Sequence, residues 1–361
     1  MGPLEGTRII EVASIGPGPM SAMLLADLGA TVIRVERMEE SGLGVKKPKR
    51  FETVLRNRHT VAADLKDSAA RDWLLRLVAK ADAVLEGFRP GVMERLGLGP
   101  APCLAANPAL VYGRMTGWGQ TGPLALSAGH DLNYIGITGA LHAIGRAGAA
   151  PTPPLNLVGD YGGGALYLAV GVLSALLAAK RTGHGQVVDA AIVDGTASMM
   201  TPFYGLRAAG MQTDERGANI LDSGRYYYDV YECADGRWIS VAPIEAKFRK
   251  EFLAALGIAV AEEAAGYEES PALRSAIAGR LREQPLAHWC ALLENTDACV
   301  FPVLSMEEAP RHHHLAARGT FIEVDGVTQP APAPRFSRTQ PAQPVPPHAR
   351  VLTMEEAELL W

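Results

Sequence analysis

Cysteine is scarce in this sequence, with only four among 361 residues. They are scattered along the chain, and no two have Cys-x-x-Cys spacing: Cys103, Cys233, Cys290 and Cys299. A disulfide framework or a zinc site built on thiolates needs cysteines at paired spacings. The scarcity therefore argues against both and indicates a protein of a reducing compartment.

Long apolar runs and targeting signals are also missing. No uninterrupted apolar stretch of membrane-spanning length is evident. The first residues are not a basic region followed by an apolar run, as a signal peptide would be. The last four, Glu-Leu-Leu-Trp, are not a peroxisomal address. We therefore expect a cytoplasmic protein with no membrane partner.

The charge of the chain is weakly negative, formally −5 at pH 7, which gives no global attraction to nucleic acid. An anion site must then be a local patch, and the Lys and Arg side chains between Lys46 and Arg58 are one candidate. Such a cluster could bind a polyphosphate, although a run of cations is more often a solvated loop. With 48% hydrophobic and 20% charged residues, the composition predicts a globular protein, and its length suggests about two domains.

The first half of the chain alternates strand and helix patterns. Strands are predicted at residues 8–12, 31–35, 83–85 and 110–112, and Ser68 is expected to cap a helix that ends near Lys80. Such alternation is typical of a parallel sheet covered by helices. We therefore predict an α/β fold, in which a large Rossmann-like domain has an open parallel sheet.

The second half has a different pattern. Residues 226–233 and 237–241 flank an Ala-Asp-Gly turn, which predicts a hairpin, and helices are predicted at 246–256 and 271–293. This pattern indicates a smaller α+β domain. The proline-rich residues 329–347 are predicted to be an extended strap, since apolar residues resume beyond them. The predicted boundaries are 1–190 for the large domain, 191–224 for a linker, 225–300 for the small domain, 301–329 for a second linker and 330–361 for the strap, which returns to the large domain.

Near the N-terminus, a strand, a turn and a helix precede Glu36, which lies some twenty residues after Gly16. This order of elements is similar to that of a dinucleotide-binding motif. The turn lacks the third glycine of that motif. Pro17 and Pro19 also have no backbone N–H to donate to a pyrophosphate. We therefore expect a structural turn and no nicotinamide cofactor.

Two residues are the best candidates for chemistry. His130 follows a glycine-rich loop after a predicted strand, where α/β folds often place functional groups. Asp160 precedes a predicted helix that ends near Lys180, so the helix N-terminus favours its negative charge. A simple N-cap is the alternative for Asp160. The glycines at 162–164 are costly in a first helical turn, and we interpret them as room for a ligand close to the backbone.

The triplet His312-His313-His314 could bind a metal adventitiously. No Glu or Asp at a suitable spacing supports a metal site there. An ordinary surface role is therefore expected for the triplet.

Several long motifs resemble one family in the right order along almost the whole chain. The sequence is similar to the α-methylacyl-CoA racemases, which are members of the family III CoA-transferase superfamily. The motifs that carry this resemblance are Leu-Arg-Asn-Arg at 55–58, Ala-Asp-Leu-Lys at 63–66, Glu-Gly-Phe-Arg-Pro-Gly at 86–91, Met-Thr-Gly-Trp-Gly-Gln-Thr-Gly-Pro at 115–123, Gly-His-Asp at 129–131 and residues 156–164.

The resemblance implies interlocked homodimers whose active site lies where one subunit's large domain meets the other's small domain. It implies that acyl-CoA is the substrate, and that no cofactor or metal is required. The phosphates and adenine of CoA would contact Arg37, Ala63, Asp64, Leu65, Lys66, Glu86 and Arg89. Gly129, Asp131, Leu132, Asn133 and Tyr134 would line the thioester end. The loop 39–50 is the least family-like part, so no binding role extends to its lysines.

The resemblance also assigns catalytic roles. His130 and Asp160 would be the two acid–base groups of an isomerase, with Glu245 directed towards the histidine. Desolvation would have to raise the pKa of Asp160 against the pull of the helix terminus. Backbone N–H groups beside Asp160 are expected to meet the thioester oxyanion. A CoA-transferase that uses Asp160 as a nucleophile is the nearer alternative, and a non-catalytic acyl-CoA-binding protein is a remote one.

Overall fold

The computed structural model describes residues 2–39, 42, 44–259, 268–347 and 349–361. The chain divides into two compact units. The first unit comprises Met1–Thr138, Pro154–Met200 and His314–Trp361, and the second comprises Gly139–Pro153 and Thr201–His313. Three residues of the 39–50 loop, Glu40, Ser41 and Leu43, lie outside the described residues.

A six-stranded parallel sheet forms the centre of the first unit, in the order β3-β2-β1-β4-β5-β6. The strands β1, β2, β4 and β5 are largely buried because a parallel sheet is covered on both faces. This sheet and its helices confirm the predicted α/β class. The strands of this sheet are β1 Arg8–Val12, β2 Thr31–Glu36, β3 Arg58–Ala62, β4 Ala83–Glu86, β5 Val111–Thr116 and β6 Val187–Ala191. The second unit contains β7 Asp229–Glu232, β8 Trp238–Val241 and β9 Val300–Pro302, and the first unit also contains the hairpin of β10 Phe321–Val324 and β11 Val327–Pro330.

Helices cover both faces of this sheet. The α-helices of the described chain are α1 Pro17–Asp27, α2 Ser68–Val78, α3 Val92–Arg95, α4 Pro100–Ala106, α5 Asp131–Gly136, α6 Ala140–Ala143, α7 Tyr167–Thr182, α8 Ile192–Met199, α9 Thr201–Ala208, α10 Ala246–Ala255, α11 Pro271–Leu281, α12 Leu286–Leu293, α13 His313–Ala317 and α14 Met354–Glu358. Successive strand residues point to opposite faces. Ile10 thus joins the core beneath α2 and α4, and Ile9 joins the core beneath α1 and α7.

Three predicted boundaries differ locally. Asp67, and not Ser68, caps α2, because its carboxylate accepts a hydrogen bond from the Ala69 N–H at 3.1 Å. Pro17 begins α1 instead of forming a separate turn, since a proline in the first helical turn has no N–H to leave unsatisfied. The segment 191–224, predicted as a linker, contains α8 and α9, and the boundary between the two units falls at Met200.

The helix that carries Asp160 is longer than predicted. It begins as a wide π-helix at Leu157–Leu166 and continues as α7 to Thr182. Leu157–Thr182 is long and apolar enough to cross a membrane by length and composition, so the expectation that no such stretch exists was wrong. One face of this helix, including Leu168 and Val172, packs in the core over the sheet.

Buried ion pairs explain much of the basic cluster at 46–58. Arg58 is fully buried and donates to Glu11 at 3.0 Å, and Glu11 also pairs with Arg34. Arg56 holds Asp27 through two hydrogen bonds, of 3.0 and 2.6 Å. Since these two guanidinium groups are engaged inside the unit, Arg56 and Arg58 do not belong to a free phosphate patch.

The C-terminal strap lies along the edge strand β3. The Asn57 side chain accepts from the Val345 N–H at 2.7 Å, and the Thr60 carbonyl accepts from the Leu352 N–H at 2.9 Å. Arg56 also donates to Gln329 at 2.9 Å. The first unit thus includes the strap.

The second unit contains an antiparallel sheet in the order β7-β8-β9. The hairpin predicted at Ala-Asp-Gly is confirmed, since β7 and β8 pair on either side of it. The helix predicted at 271–293 is two helices, α11 and α12, which end and begin around Pro285. Large side chains such as Trp289, Phe252 and Tyr227 fill the core of this unit.

Candidate active site

The candidate site lies at the carboxyl ends of the parallel strands. The strand order reverses between β1 and β4, and open α/β sheets bind ligands at such a switch point. In space, the side chain of Ser14, in the loop after β1, lies close to two glycines, Gly18 and Gly87. A Cβ on Gly87, after β4, would be 2.8 Å from the Ser14 Oγ, and a Cβ on Gly18 would be 2.4 Å from it. Glycine is therefore required at both positions for these loops to meet.

Asp160 lies at this switch point. A Cβ on Gly16, which follows β1, would lie 2.9 Å from the Asp160 Oδ2. Gly16 also has a φ of 67°, which favours glycine. The Asn156 side chain, one helical turn before Asp160, donates to the Asp160 Oδ2 at 3.3 Å. The π-helix thus presents the carboxylate to the loop after β1.

Burial raises the pKa of Asp160 above that of an ordinary aspartate, and the charge of Asp131 raises it further. The Asn156 hydrogen bond and the charge of His130 act in the opposite direction without cancelling the rise. The desolvation required for a useful carboxylate base is therefore already present in this unit.

Asp131 is hydrogen-bonded to the N-terminal end of the helix that carries Asp160, the terminus that was expected to lower the pKa of Asp160. The Asp131 Oδ1 accepts from the Asp160 N–H at 2.6 Å. A contact between backbone N–H groups beside Asp160 and a thioester oxyanion stays a prediction, and in this structure the Asp160 N–H has the Asp131 carboxylate as its acceptor. The Asp131 Oδ2 is buried and has no hydrogen-bond partner among the described residues.

His130 immediately precedes α5, and its side chain is exposed. Its N–H donates to the Asn133 side chain at 3.0 Å, which fixes the backbone at the start of the helix. His130 precedes Asp131, whose carboxylate accepts from the Asp160 N–H, so the fold places the start of α5 beside the segment that carries Asp160.

Two aromatic rings support the loop that carries His130. Tyr134 donates its hydroxyl to the Gly129 carbonyl and meets Trp118 edge to face, with ring centroids 4.7 Å apart. A Cβ on Gly117 would lie 2.1 Å from the Tyr134 ring. Gly129 and Tyr134 therefore shape the loop in this structure, while Leu132 and Asn133 are exposed beside His130.

The glycines after Asp160 have a different role from the one expected. A Cβ on Gly163 would lie 2.4 Å from the Thr196 Oγ1, and a Cβ on Gly195 would lie 1.9 Å from the Gly163 carbonyl oxygen. A Cβ on Gly164 would lie 3.0 Å from Pro17. The interpretation as room for a ligand is thus wrong for Gly163 and Gly164, which allow the π-helix to contact α8 and α1 closely.

Gly163→Ala should lower stability by about 1–3 kcal/mol, the usual cost of overpacking a tight interior. The added methyl group would meet Thr196, whose side chain is fully buried. Gly279→Ala in α11 is the matched control, because its Cβ would have no neighbour within 4 Å. The control should be neutral or stabilised by up to about 1 kcal/mol. Thermal unfolding of both variants measures the difference, and equal midpoints would contradict the packing role.

Cations predicted to bind CoA lie beyond the same edge of the sheet. Arg37 follows β2, Lys66 follows β3 and Arg89 follows β4, and all three side chains are exposed. The Arg37 guanidinium lies 6.0 Å from the Phe88 ring centroid. Within the described part of the chain, none of the three cations forms an ion pair, so their charges remain available to an anion.

Other predicted CoA contacts have structural partners. The Glu86 side chain is buried, and it accepts from the Phe88 N–H at 2.7 Å and from Arg114 at 3.0 Å. It thereby holds the loop that carries Arg89. In the 63–66 segment, Ala63 is buried, Leu65 packs on the core, and Asp64 accepts from the Lys66 N–H at 3.0 Å.

Glu245 belongs to the second unit, where it is exposed at the start of α10 and its carboxylate makes no capping hydrogen bond. Its action on His130 stays a prediction. Sequence reasoning did not single out Asn156, although its separation of four residues from Asp160 places the two on one helix face.

Comparisons with known proteins identify the family of the chain. Residues 4–349 match the model of CoA-transferase family III. The chain is 41% identical to the α-methylacyl-CoA racemase of Mus musculus over 345 residues, which are 94% of this chain and 88% of the mouse protein. It is 38% identical to the Homo sapiens α-methylacyl-CoA racemase, again over 94% of this chain and 88% of the relative.

A solved structure shares the whole fold. The crystal structure of a CAIB/BAIF family protein from Brucella suis superposes with a TM-score of 0.80 at 27% identity, covering 96% of this chain and 95% of that one. The resemblance inferred from the motifs is confirmed. This chain belongs to CoA-transferase family III.

Proposed function

We propose that this protein is an isomerase that interconverts the (R) and (S) forms of 2-methylacyl-CoA thioesters. The observation that carries the proposal is the position of Asp160 at the switch point of the sheet, with α5 and the preceding His130 held beside it by the hydrogen bond from the Asp160 N–H to Asp131. Inverting a carbon next to a thioester needs one group to remove a proton and a second to return one on the other face. The identity with two α-methylacyl-CoA racemases supports the same reaction.

In the proposed mechanism, the Asp160 carboxylate removes the α-proton of one enantiomer and leaves an enolate. The His130 imidazolium then donates a proton to the opposite face of the α-carbon. The other enantiomer reacts with the roles reversed. The raised pKa of Asp160 supports its part, because a carboxylate with a higher pKa is a stronger base. We propose that the reaction uses no cofactor.

The CoA moiety is proposed to bind along the carboxyl edge of the sheet. Its phosphates would meet Arg37, Lys66 and Arg89, whose charges have no ion-pair partner among the described residues. The thioester would then lie beside the 129–134 segment, with Asp131 acting through its hydrogen bond to the Asp160 N–H. Glu245 is proposed to orient the His130 imidazole, within one chain or across a dimer.

We also propose a cytoplasmic homodimer. The outer side of the long helix exposes Leu166, Val170 and Leu177 to 50%, 63% and 66% of their surface. These positions form an apolar stripe on one helix face, and such a stripe is usually covered by another surface. A second copy of this chain is the proposed cover.

The main alternative is a CoA-transferase in which Asp160 attacks a thioester as a nucleophile. Asp160 serves either reaction, so it does not separate them. His130 favours the isomerase, because a transferase needs no second base facing the α-carbon. A protein that only binds acyl-CoA is disfavoured because both groups and the desolvation of Asp160 are present.

The test is an incubation of single enantiomers of 2-methylacyl-CoA in deuterated water, with and without free carboxylate acceptors. We expect each enantiomer to become racemic and to gain deuterium at the α-carbon, measured by chiral chromatography and mass spectrometry. Transfer of CoA to the acceptor without α-exchange would instead establish the transferase. Binding without turnover across a broad panel of CoA esters would favour the non-catalytic alternative.

A further inference from the structure

Three side chains outside the proposed active site meet in the second unit. Glu294 follows α12, His312 follows a short 3₁₀ turn at Ala309–Arg311, and His313 begins α13. The His312 Nε2 lies 3.3 Å from the Glu294 Oε1, and the His313 Nε2 lies 3.9 Å from the same oxygen. Their candidate ligand atoms all lie within 4.8 Å of one another.

We propose that Glu294, His312 and His313 form a site for a divalent transition metal, with Zn²⁺ as its natural probe. Two imidazoles and one carboxylate are a common ligand set for zinc, and a water completes four-coordination. Imidazole disfavours Mg²⁺ and Ca²⁺, which prefer oxygen ligands. The site contains none of the residues assigned to acyl-CoA chemistry, so it goes beyond the proposed function.

The two separations measured from the Glu294 carboxylate lie at or near the values of a tetrahedral ion. Zinc bonds of about 2.0–2.2 Å place neighbouring ligand atoms about 3.3–3.6 Å apart in a tetrahedron. The 3.3 Å separation of His312 and Glu294 meets this range without movement. The 3.9 Å separation of His313 exceeds it by a few tenths of an ångström, and this side chain is 68% exposed and has room to adjust.

Tertiary structure, and not the sequence triplet, assembles this site. Local spacing contains no acid that pairs with the histidines, which led to the expectation of an ordinary surface role. The fold supplies Glu294 from the end of another helix. The sequence pattern could not show this acid beside the histidines, and for that reason no metal site was expected. His312 and Glu294 are only 19% and 21% exposed, so the pair is held in a partly desolvated position.

A bound ion would join the end of α12 to the start of α13. The segment between these points contains β9, an edge strand of the sheet in this unit. An ion that binds only the folded chain stabilises it in proportion to its occupancy. The consequence is a metal-dependent clamp on this segment, visible as a rise in Tm on addition of Zn²⁺.

The experiment measures Zn²⁺ binding to the full chain by competition with a chromophoric chelator, after all metal has been removed. We expect one Zn²⁺ per chain and an affinity that millimolar Mg²⁺ does not reduce. His312→Ala, His313→Ala and Glu294→Gln should each weaken binding by at least about tenfold, since losing even a group that only orients a ligand costs about 10–100-fold. The Zn²⁺-induced rise in Tm should also disappear in these three variants.

His314→Ala is the matched control, because His314 is the next residue of the triplet and lies outside the cluster. It should bind Zn²⁺ like the unchanged protein. Equal weakening by His314→Ala and His313→Ala would reveal adventitious binding to a histidine run and overturn the proposal. An unchanged affinity in Glu294→Gln, or no stoichiometric binding at all, would also overturn it. If Glu294→Gln fails to fold, the comparison of the two exposed histidines decides the question.

Discussion

His130→Ala is expected to lower the rate of α-deuterium exchange by about 10²–10⁴-fold for at least one enantiomer of a 2-methylacyl-CoA, the usual contribution of one acid–base group. The reason is that each enantiomer presents its α-proton to only one of two opposed groups. Without the imidazole, Asp160 has no counterpart to return a proton on the other face. Exchange measured separately from each pure enantiomer, by mass spectrometry in deuterated water, gives the result.

The fold should survive this substitution, because the His130 side chain is exposed and alanine keeps the backbone N–H that donates to Asn133. His184→Ala is a suitable control, since that histidine is also exposed in the first unit and its N–H likewise bonds a nearby side chain. The control should retain full activity. Full exchange towards both enantiomers in His130→Ala would contradict the two-base mechanism.

Glu11→Gln should be the most destabilising of the substitutions considered, by about 3–5 kcal/mol, since removing one partner of a buried ion pair leaves the other charge uncompensated. Glu11 is 1% exposed and pairs with Arg34 and with the fully buried Arg58. A glutamine keeps the shape but not the charge that balances two guanidinium groups. Urea unfolding at neutral pH measures the loss.

Arg76→Ala provides the contrast, because Arg76 pairs with Glu358 at the surface, where the two side chains are 61% and 33% exposed. Exposed pairs contribute about 0–1 kcal/mol, so this variant should unfold almost like the unchanged protein. If the two variants lost the same stability, the buried network would not have the importance assigned to it.

The same network predicts how stability depends on pH. Burial alone would raise the pKa of Glu11, but the charges of Arg34 and Arg58 outweigh it and hold this pKa below its ordinary value of 4.5. In the window between the two values the unfolded chain binds more protons than the folded one, so stability there rises with pH. The contribution is complete above the ordinary pKa and is lost as the pH falls through the folded value. Glu11→Gln should flatten the part of the acid unfolding curve that lies in this window.

Local patterns were sufficient where one short segment decides the structure. Apolar runs such as 8–12 and 31–35 become buried parallel strands because helices cover both faces of the sheet. The Asp235-Gly236 turn forms its hairpin because the flanking strands and the turn residues agree. The family motifs were equally informative, and they identified His130 and Asp160 before any geometry was known.

Patterns failed where distant segments meet. The glycines after Asp160 look like space for a ligand, yet α8 fills the space at Gly163. Arg56 and Arg58 look like part of a solvated basic loop, yet each pairs with a buried acid. In both cases the partner lies on another element of the fold, so the local spacing of residues does not predict it.

The sequence by itself therefore determined the α/β class, the family and the two groups proposed for proton transfer. Those properties follow from hydrophobic period and from motifs that are contiguous in the chain. Only the tertiary structure decided the surroundings of these groups and of the other functional side chains. It placed the Asp131 carboxylate on the Asp160 N–H, put the partly buried Asp160 beside Gly16, and brought Glu294 to His312. The physical reason is that desolvation, charge and ligand geometry depend on distances between side chains, which the packing of separate elements sets.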